Sequence, residues 1–229
     1  MDRRGFLTTG LAAGAGVIST GASAAGKQSS GKLRIIGISC SPRKGKTTAT
    51  AVQVALDAAR AVDSRIQTQL VDLGGTNISG WNGEAKPNDA EIQQDDFELM
   101  VLPMLKDPVP DGLIIGSPSY FRTMSALCKA FLERIAVLRS PKLLLADKPV
   151  GVLSVGAYRN GGQELVIEQI LTAMLCHEVM AVGGKPSAHQ GATLWNAYKD
   201  DIMKDEFGIE SAKRLGVRVA EAAILLAQK

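Results

Sequence analysis

Residues Ser39 to Thr48 read SCSPRKGKTT, and the fold turns on what this loop is for. An apolar run, Leu33 to Ile38, stands immediately before it, and Val52, Leu56, Ala59 and Val62 recur at helical spacing after it. Strand, loop and helix in that order, with the loop ending Gly45-Lys46-Thr47, make the outline of a phosphate cradle. The triphosphate version, G-x-x-x-x-G-K-[ST], requires a glycine at position 40. That position is Cys40, Gly37 lies too far upstream, and no strand ending in a magnesium-holding aspartate stands out. Triphosphate hydrolysis is therefore set aside. The loop keeps the donors for a single terminal phosphate: the hydroxyls of Ser41, Thr47 and Thr48, the fork of Arg43, and Gly45, where the missing Cβ lets backbone come close. Free N–H groups at the start of the following helix add a favourable field for an anion.

Working outward, RIQTQLVDL (Arg65 to Leu73) is a second strand, and the Gly-, Asn- and Pro-rich stretch from Gly74 to Glu91 a loop. DDFELMVLPMLKD (Asp95 to Asp107) has a helical pattern with a kink or an end at Pro103. DGLIIGSP (Asp111 to Pro118) is a third strand, and MSALCKAFLERIAVL a helix with Leu127, Phe131 and Ile135 inward. KPVGVLSVG, NGGQELVIEQILTAMLC and HEVMAVGG supply a fourth strand, a helix and a fifth strand. A last helix buries Ala212, Leu215, Val219, Ala222 and Leu226. Strands alternating with helices predict a parallel sheet covered on both faces. Five strands suit the flavodoxin-like three-layer α/β sandwich of order 2-1-3-4-5.

In such sheets ligands sit beyond the carboxyl ends of the strands, and three unusual loops occupy such ends here. Besides Ser39 to Thr48 there is Ser117 to Ser125, where Pro118, Tyr120 and Phe121 offer flat surfaces and backbone from Ser119 to Thr123 offers polar groups. The third, Ser154 to Glu164, has Gly156, Gly161 and Gly162 for close backbone approach, with Tyr158 and Arg159 placed to cover a ligand.

Composition closes off other classes. A net charge of +3, without a basic stripe interleaved with aromatics, argues against nucleic acid as a partner. Cys40, Cys128 and Cys176 are far apart and form no C-x-x-C, and His177 and His189 are isolated, so no protein metal site is expected. No Ser/His/Asp or Cys/His set stands out, so no catalytic side chain is assigned.

At the N-terminus, Asp2-Arg3-Arg4-Gly5-Phe6-Leu7 resembles the twin-arginine export consensus, followed by a weakly apolar Gly/Ala-rich run and an A-x-A site at Ala22-Ser23-Ala24. The expected organisation is a signal peptide over 1–24, a linker over 25–32, and a flavodoxin-like domain over 33–229. Contact with a membrane is expected only through the export machinery, and the mature protein is expected in the periplasm or outside the cell.

Taken together, SPRKGKT, GSPSYFRTMSALCKAFLER and GGQE resemble the NADPH-dependent FMN reductase family, in the branch that includes iron–sulfur flavoproteins. The resemblance covers roughly residues 32–183, and the tail DEFGIESAKRLGVRVAE also suits it. It implies an FMN-dependent oxidoreductase, with Ser41, Arg43, Lys46, Thr47 and Thr48 on the FMN phosphate. Pro118, Ser119, Tyr120, Phe121, Arg122 and Thr123 would border the isoalloxazine, and Ser154, Gly156, Arg159, Gly161 and Gly162 its other edge. Electrons would pass from NAD(P)H or another donor to a flavin, a quinone or a similar acceptor, and a homodimer is implied. Because NAD(P)H is confined to the cytoplasm, the alternative is an exported FMN electron carrier without small-molecule turnover, served by a redox protein. The chain departs from the family pattern twice. No cysteine lies in the segment where the branch carries its cluster, so no iron–sulfur cluster is expected. Arg122 stands where the family usually has glycine; facing inward it would favour anionic reduced flavin. His189, Trp195 and Tyr198 are read as loop residues, packed on the surface in preference to reaching a partner's site.

Overall fold

The computed structural model describes residues 31–81, 83, 95–186, 188–197 and 199–228. The expected signal peptide, residues 25–30 of the expected linker and most of the loop after Trp81 lie outside these residues.

Strands β1 (Leu33–Ser39), β2 (Ile66–Asp72), β3 (Gly112–Pro118), β4 (Pro149–Gly156) and β5 (Met180–Ala181) form a parallel sheet in the order β2-β1-β3-β4-β5. Every residue of β3 and β4 is buried, as continuous apolar runs covered on both faces require. β2, at the edge, is less buried: only Ile66 and Val71 are fully covered, and Gln67 and Gln69 are exposed. Helices α1 (Thr47–Arg60) and α5 (Glu206–Leu226) cover one face, where Val52, Leu56, Leu215 and Val219 share a core with Ile35 and Ile114. They touch closely because residue 216 is glycine: a Cβ there would lie 1.9 Å from the Ala55 carbonyl oxygen. Helices α2 (Leu102–Lys106), α3 (Ala126–Arg134) and α4 (Gln163–Leu175) cover the other face over Phe97, Phe131, Ile135 and Ile170.

Three elements differ from expectation. Before Pro103 the backbone makes a π-helical turn, Phe97–Val101, and α2 then starts with the proline in its first turn, where no N–H is needed. The third-layer helix is shorter, ending at Arg134 and tightening into a 3₁₀ turn, Ile135–Arg139. The fifth strand position is split. β5 pairs only with Pro149 and Val150, the chain swings out, and a sixth strand, β6 (Ala192–Trp195), returns parallel to Leu153–Gly156 of β4. The swing needs glycine at 183, where a Cβ would lie 1.6 Å from the His189 carbonyl oxygen. Trp195 is thus a strand residue, His189 lies in the detour, and Tyr198 lies outside the described residues.

Candidate functional site

The carboxyl ends of β1, β3 and β4 are adjacent, so the three loops after them converge. One hydroxyl joins the first two. Ser125 caps α3, its Oγ accepting from the Cys128 N–H at 3.0 Å while donating to the Cys40 carbonyl at 2.6 Å. Ser119 joins the second and third loops: its Oγ donates to the Gly161 carbonyl at 2.7 Å and its N–H to the Val155 carbonyl at 2.8 Å. Gln163 and Trp195 hold the third loop from behind, donating to the carbonyls of Tyr158 and Ala157 at 2.6 and 3.0 Å.

In the first loop Ser41, Thr47 and Thr48 are buried, and Lys46 is the exposed N-cap residue of α1. No side chain caps this helix and no acidic residue stands in its first turn, so its opening N–H groups meet no negative charge from their own helix. Gly45 adopts φ +66°, and its N–H donates to Asp72 at 2.7 Å. Arg43 Nη1 donates to both carboxylate oxygens of Asp200, at 2.8 and 2.9 Å. Hydrogen bonds from Asn196 and Arg43 hold the Asp200 carboxyl below its ordinary range. Two carboxylates, Asp72 and Asp200, thus shape the loop, and neither was foreseen. Asp72 is the last residue of β2, paired with Ser39, a position that only the register reveals. Asp200 arrives from more than 150 residues downstream. Cys40 is fully buried, and that burial, reinforced by the neighbouring Cys128 and Asp72, pushes its thiol well above its ordinary value and away from thiolate reactivity.

Between the second and third loops lies a cleft of about 440 Å³, lined by Ser119, Tyr120, Phe121, Arg122, Ala157, Tyr158, Asn160 and Gly161. A more polar cleft adjoins it, with Arg122, Arg159, Gly162 and Glu164 among its lining residues. Pro118, Ser154 and Gly156 are buried in the strands and shape the site from behind, and Thr123 closes the turn that carries Phe121 and Arg122. Arg159 leans away from the aromatic cleft: it pairs with the buried Asp205 and stacks on Trp195 and Phe207 at 5.1 and 5.7 Å. Ala157 and Asn160 line the aromatic cleft without having been singled out, though they sit between the flagged glycines 156 and 161.

The sequence pattern described as NADPH-dependent FMN reductase matches residues 33–193, which run from β1 through the last loop of the site into β6. The chain belongs to that family. As an FMN reductase-family protein it is an FMN-binding oxidoreductase with the flavodoxin-like fold. It is 36% identical over 198 residues to an iron–sulfur flavoprotein of Methanocaldococcus jannaschii, covering 85% of this chain and 99% of that protein. It is 31% identical over 185 residues to an iron–sulfur flavoprotein of Methanosarcina thermophila, covering 80% and 93%. Among solved structures, RosB with a bound riboflavin-phosphate intermediate shares the fold, with a TM-score of 0.64 at 15% identity, over 85% of this chain and 80% of that one.

Proposed function

We propose that the protein carries FMN across the three joined loops and passes electrons from NAD(P)H or another donor to a flavin, a quinone or a similar acceptor. The observation that carries this reading is the adjacency of an uncapped helix start, ringed by buried hydroxyls, to a cleft walled by three aromatic rings. The two regions match the two ends of FMN. A terminal phosphate suits the α1 N–H groups, the hydroxyls of Ser41, Thr47 and Thr48, and the Lys46 ammonium. Arg43 would join them by sharing its fork with Asp200. The flat ring suits the cleft, with Ser119 to Thr123 on one border and the 154–162 stretch on the other. When bound, FMN supplies the redox chemistry, and the protein contributes position, electrostatics and exclusion of water. No proton-transfer residue of the chain is required. FMN is read as the sole redox centre, although the relatives above are named iron–sulfur flavoproteins: Cys40, Cys128 and Cys176 are scattered, and none falls between Gly74 and Asp96.

The resemblance of the Arg3-Arg4 segment to an export leader favours a second reading, an exported electron carrier charged by a redox protein. Anaerobic mixing of the FMN-loaded protein with NADPH separates the two. Rapid bleaching supports the reductase, whereas bleaching by a reduced redox protein alone supports the carrier. A chain that stays colourless in excess FMN refutes both. On this reading the mature protein is periplasmic or secreted, and association into a homodimer is an added proposal, testable by sedimentation.

A further inference from the structure

Tyr120 and Thr123 exchange backbone hydrogen bonds at 2.9 and 3.0 Å, and the two residues between them, Phe121 and Arg122, have φ of +53° and +66°. Two consecutive left-handed residues closed in this way make a type I′ turn, whose usual occupants are Asn and Gly because left-handed backbone costs other residues about 1–2 kcal/mol each. Here both positions carry large side chains. Folding gains little from them: Phe121 is fully exposed, at 101% of its reference area. Backbone strain of this kind, maintained beside a cleft, points to use by a ligand.

The turn is also held rigidly. Gly162, at φ +88°, packs so tightly under it that a Cβ there would lie 2.8 Å from the Arg122 Cα, and Ser119 ties its base to Gly161. The cleft it overhangs holds three of the chain's eight Tyr and Phe residues, Tyr120, Phe121 and Tyr158, all with exposed rings. Among the described residues lining that cleft, Arg122 alone is charged. Its guanidinium has no hydrogen-bond or ion-pair partner among the described residues, whereas Arg43 and Arg159, its cationic neighbours at the site, are held by Asp200 and Asp205. The nearby acids belong to the adjoining cleft, where Glu164 accepts from Gln190 and Glu168 lies further along α4.

An exposed aromatic wall with one uncommitted guanidinium at its edge recognises a specific chemistry. We infer that Arg122 makes the cleft selective for planar aromatic substrates bearing a negatively charged substituent, the substrate ring sharing the cleft with the flavin against the exposed Phe121 and Tyr158 while the anion pairs with Arg122. This rests on the flavin reading above, since the ligand is the substrate stacked at the FMN site, and it makes Arg122 a specificity-determining residue.

The test uses redox-inert probes, so that no donor need be known. FMN-saturated oxidised protein is titrated calorimetrically with naphthalene-2-sulfonate and with its neutral sulfonamide. The sulfonate is expected to bind roughly tenfold tighter at low salt, the effect of one charge-assisted contact. Arg122→Gln should erase that preference while leaving the sulfonamide within about twofold, and Arg122→Lys should keep most of it. About 1 M salt, where the screening length is about 3 Å, should shrink it. Equal affinities in the wild type, or equal weakening of both probes by Arg122→Gln, overturns the inference. Protein that takes up no FMN refutes the flavin reading instead, and the same titration on it still reads whether Arg122 selects the anion.

Discussion

Phe121 and Arg122 occupy backbone that glycine and asparagine fill at little cost, so the turn trades stability for display. Arg122→Gly should relieve the left-handed strain, partly offset by the greater freedom of the unfolded chain, for a net gain of about 0.5–1 kcal/mol. In a domain of this size the thermal midpoint should rise by about 1–4 °C, readable by differential scanning calorimetry. His177 shows the opposite kind of tension. It is buried, its Nδ1 has no partner among the described residues, and burial followed by the charge of Arg139 lowers its pKa from 6.5 to about 4. Between those values the unfolded chain holds a proton that the folded chain refuses, so stability falls as pH drops through that window, by up to ~3 kcal/mol. Urea melts of the wild type against His177→Leu should diverge from pH 6.5 downward, the wild type losing stability faster. A variant that tracks the wild type would show that His177 takes up its proton in the folded state. Neither the turn type nor the orphaned imidazole is legible in the sequence. FR between Tyr and Thr carries no turn signal, and an isolated histidine looks alike on a surface and in a core.

The loop that leaves Ser79 is tied back to α3 by buried ions. Arg134, with its side chain 4% exposed, donates to Asp95 at 2.5 Å and to Glu98, and lies 5.0 Å from the centre of the Phe97 ring. Burial would raise the Asp95 carboxyl, yet hydrogen bonds from Arg134 and from the N–H groups of Ser79 and Phe97 hold it below its ordinary value. Asp95→Ala should therefore cost about 3 kcal/mol, as removal of one partner from a buried pair does, seen as a lower urea midpoint. The periodicity of MSALCKAFLERIAVL puts Arg134 on a helix, but its partners lie 36 and 39 residues earlier, at the start of the helical pattern of DDFELMVLPMLKD, and nothing in either segment announces the pairing. At this scale the strands were the clearest part of the sequence, because burial on both faces leaves nearly continuous apolar runs in β1, β3 and β4. The split of the fifth strand was not, since Gly183-Gly184 reads as the end of a strand and nothing in ATLW announces its resumption.

For the whole chain, the alternation of strands and helices was enough to predict the three layers and the convergence of the three loops at the strand ends, because right-handed βαβ geometry leaves few other arrangements. The acids that brace the site were beyond reach, since Asp200 and Asp205 come from a connection whose path depends on tertiary packing alone. The export proposal belongs to this scale too. Replacing Arg3 and Arg4 together with Lys should leave the protein in the cytoplasmic fraction with its leader uncleaved; export of the Lys-Lys form would refute twin-arginine transport. Beyond β4 the sheet ends in one piece of two residues and another of four. A foreign strand arriving at that border meets too few consecutive backbone donors and acceptors to zip on, so fibrous growth from that flank is discouraged. The seven-residue β2 on the opposite border is where such growth would begin.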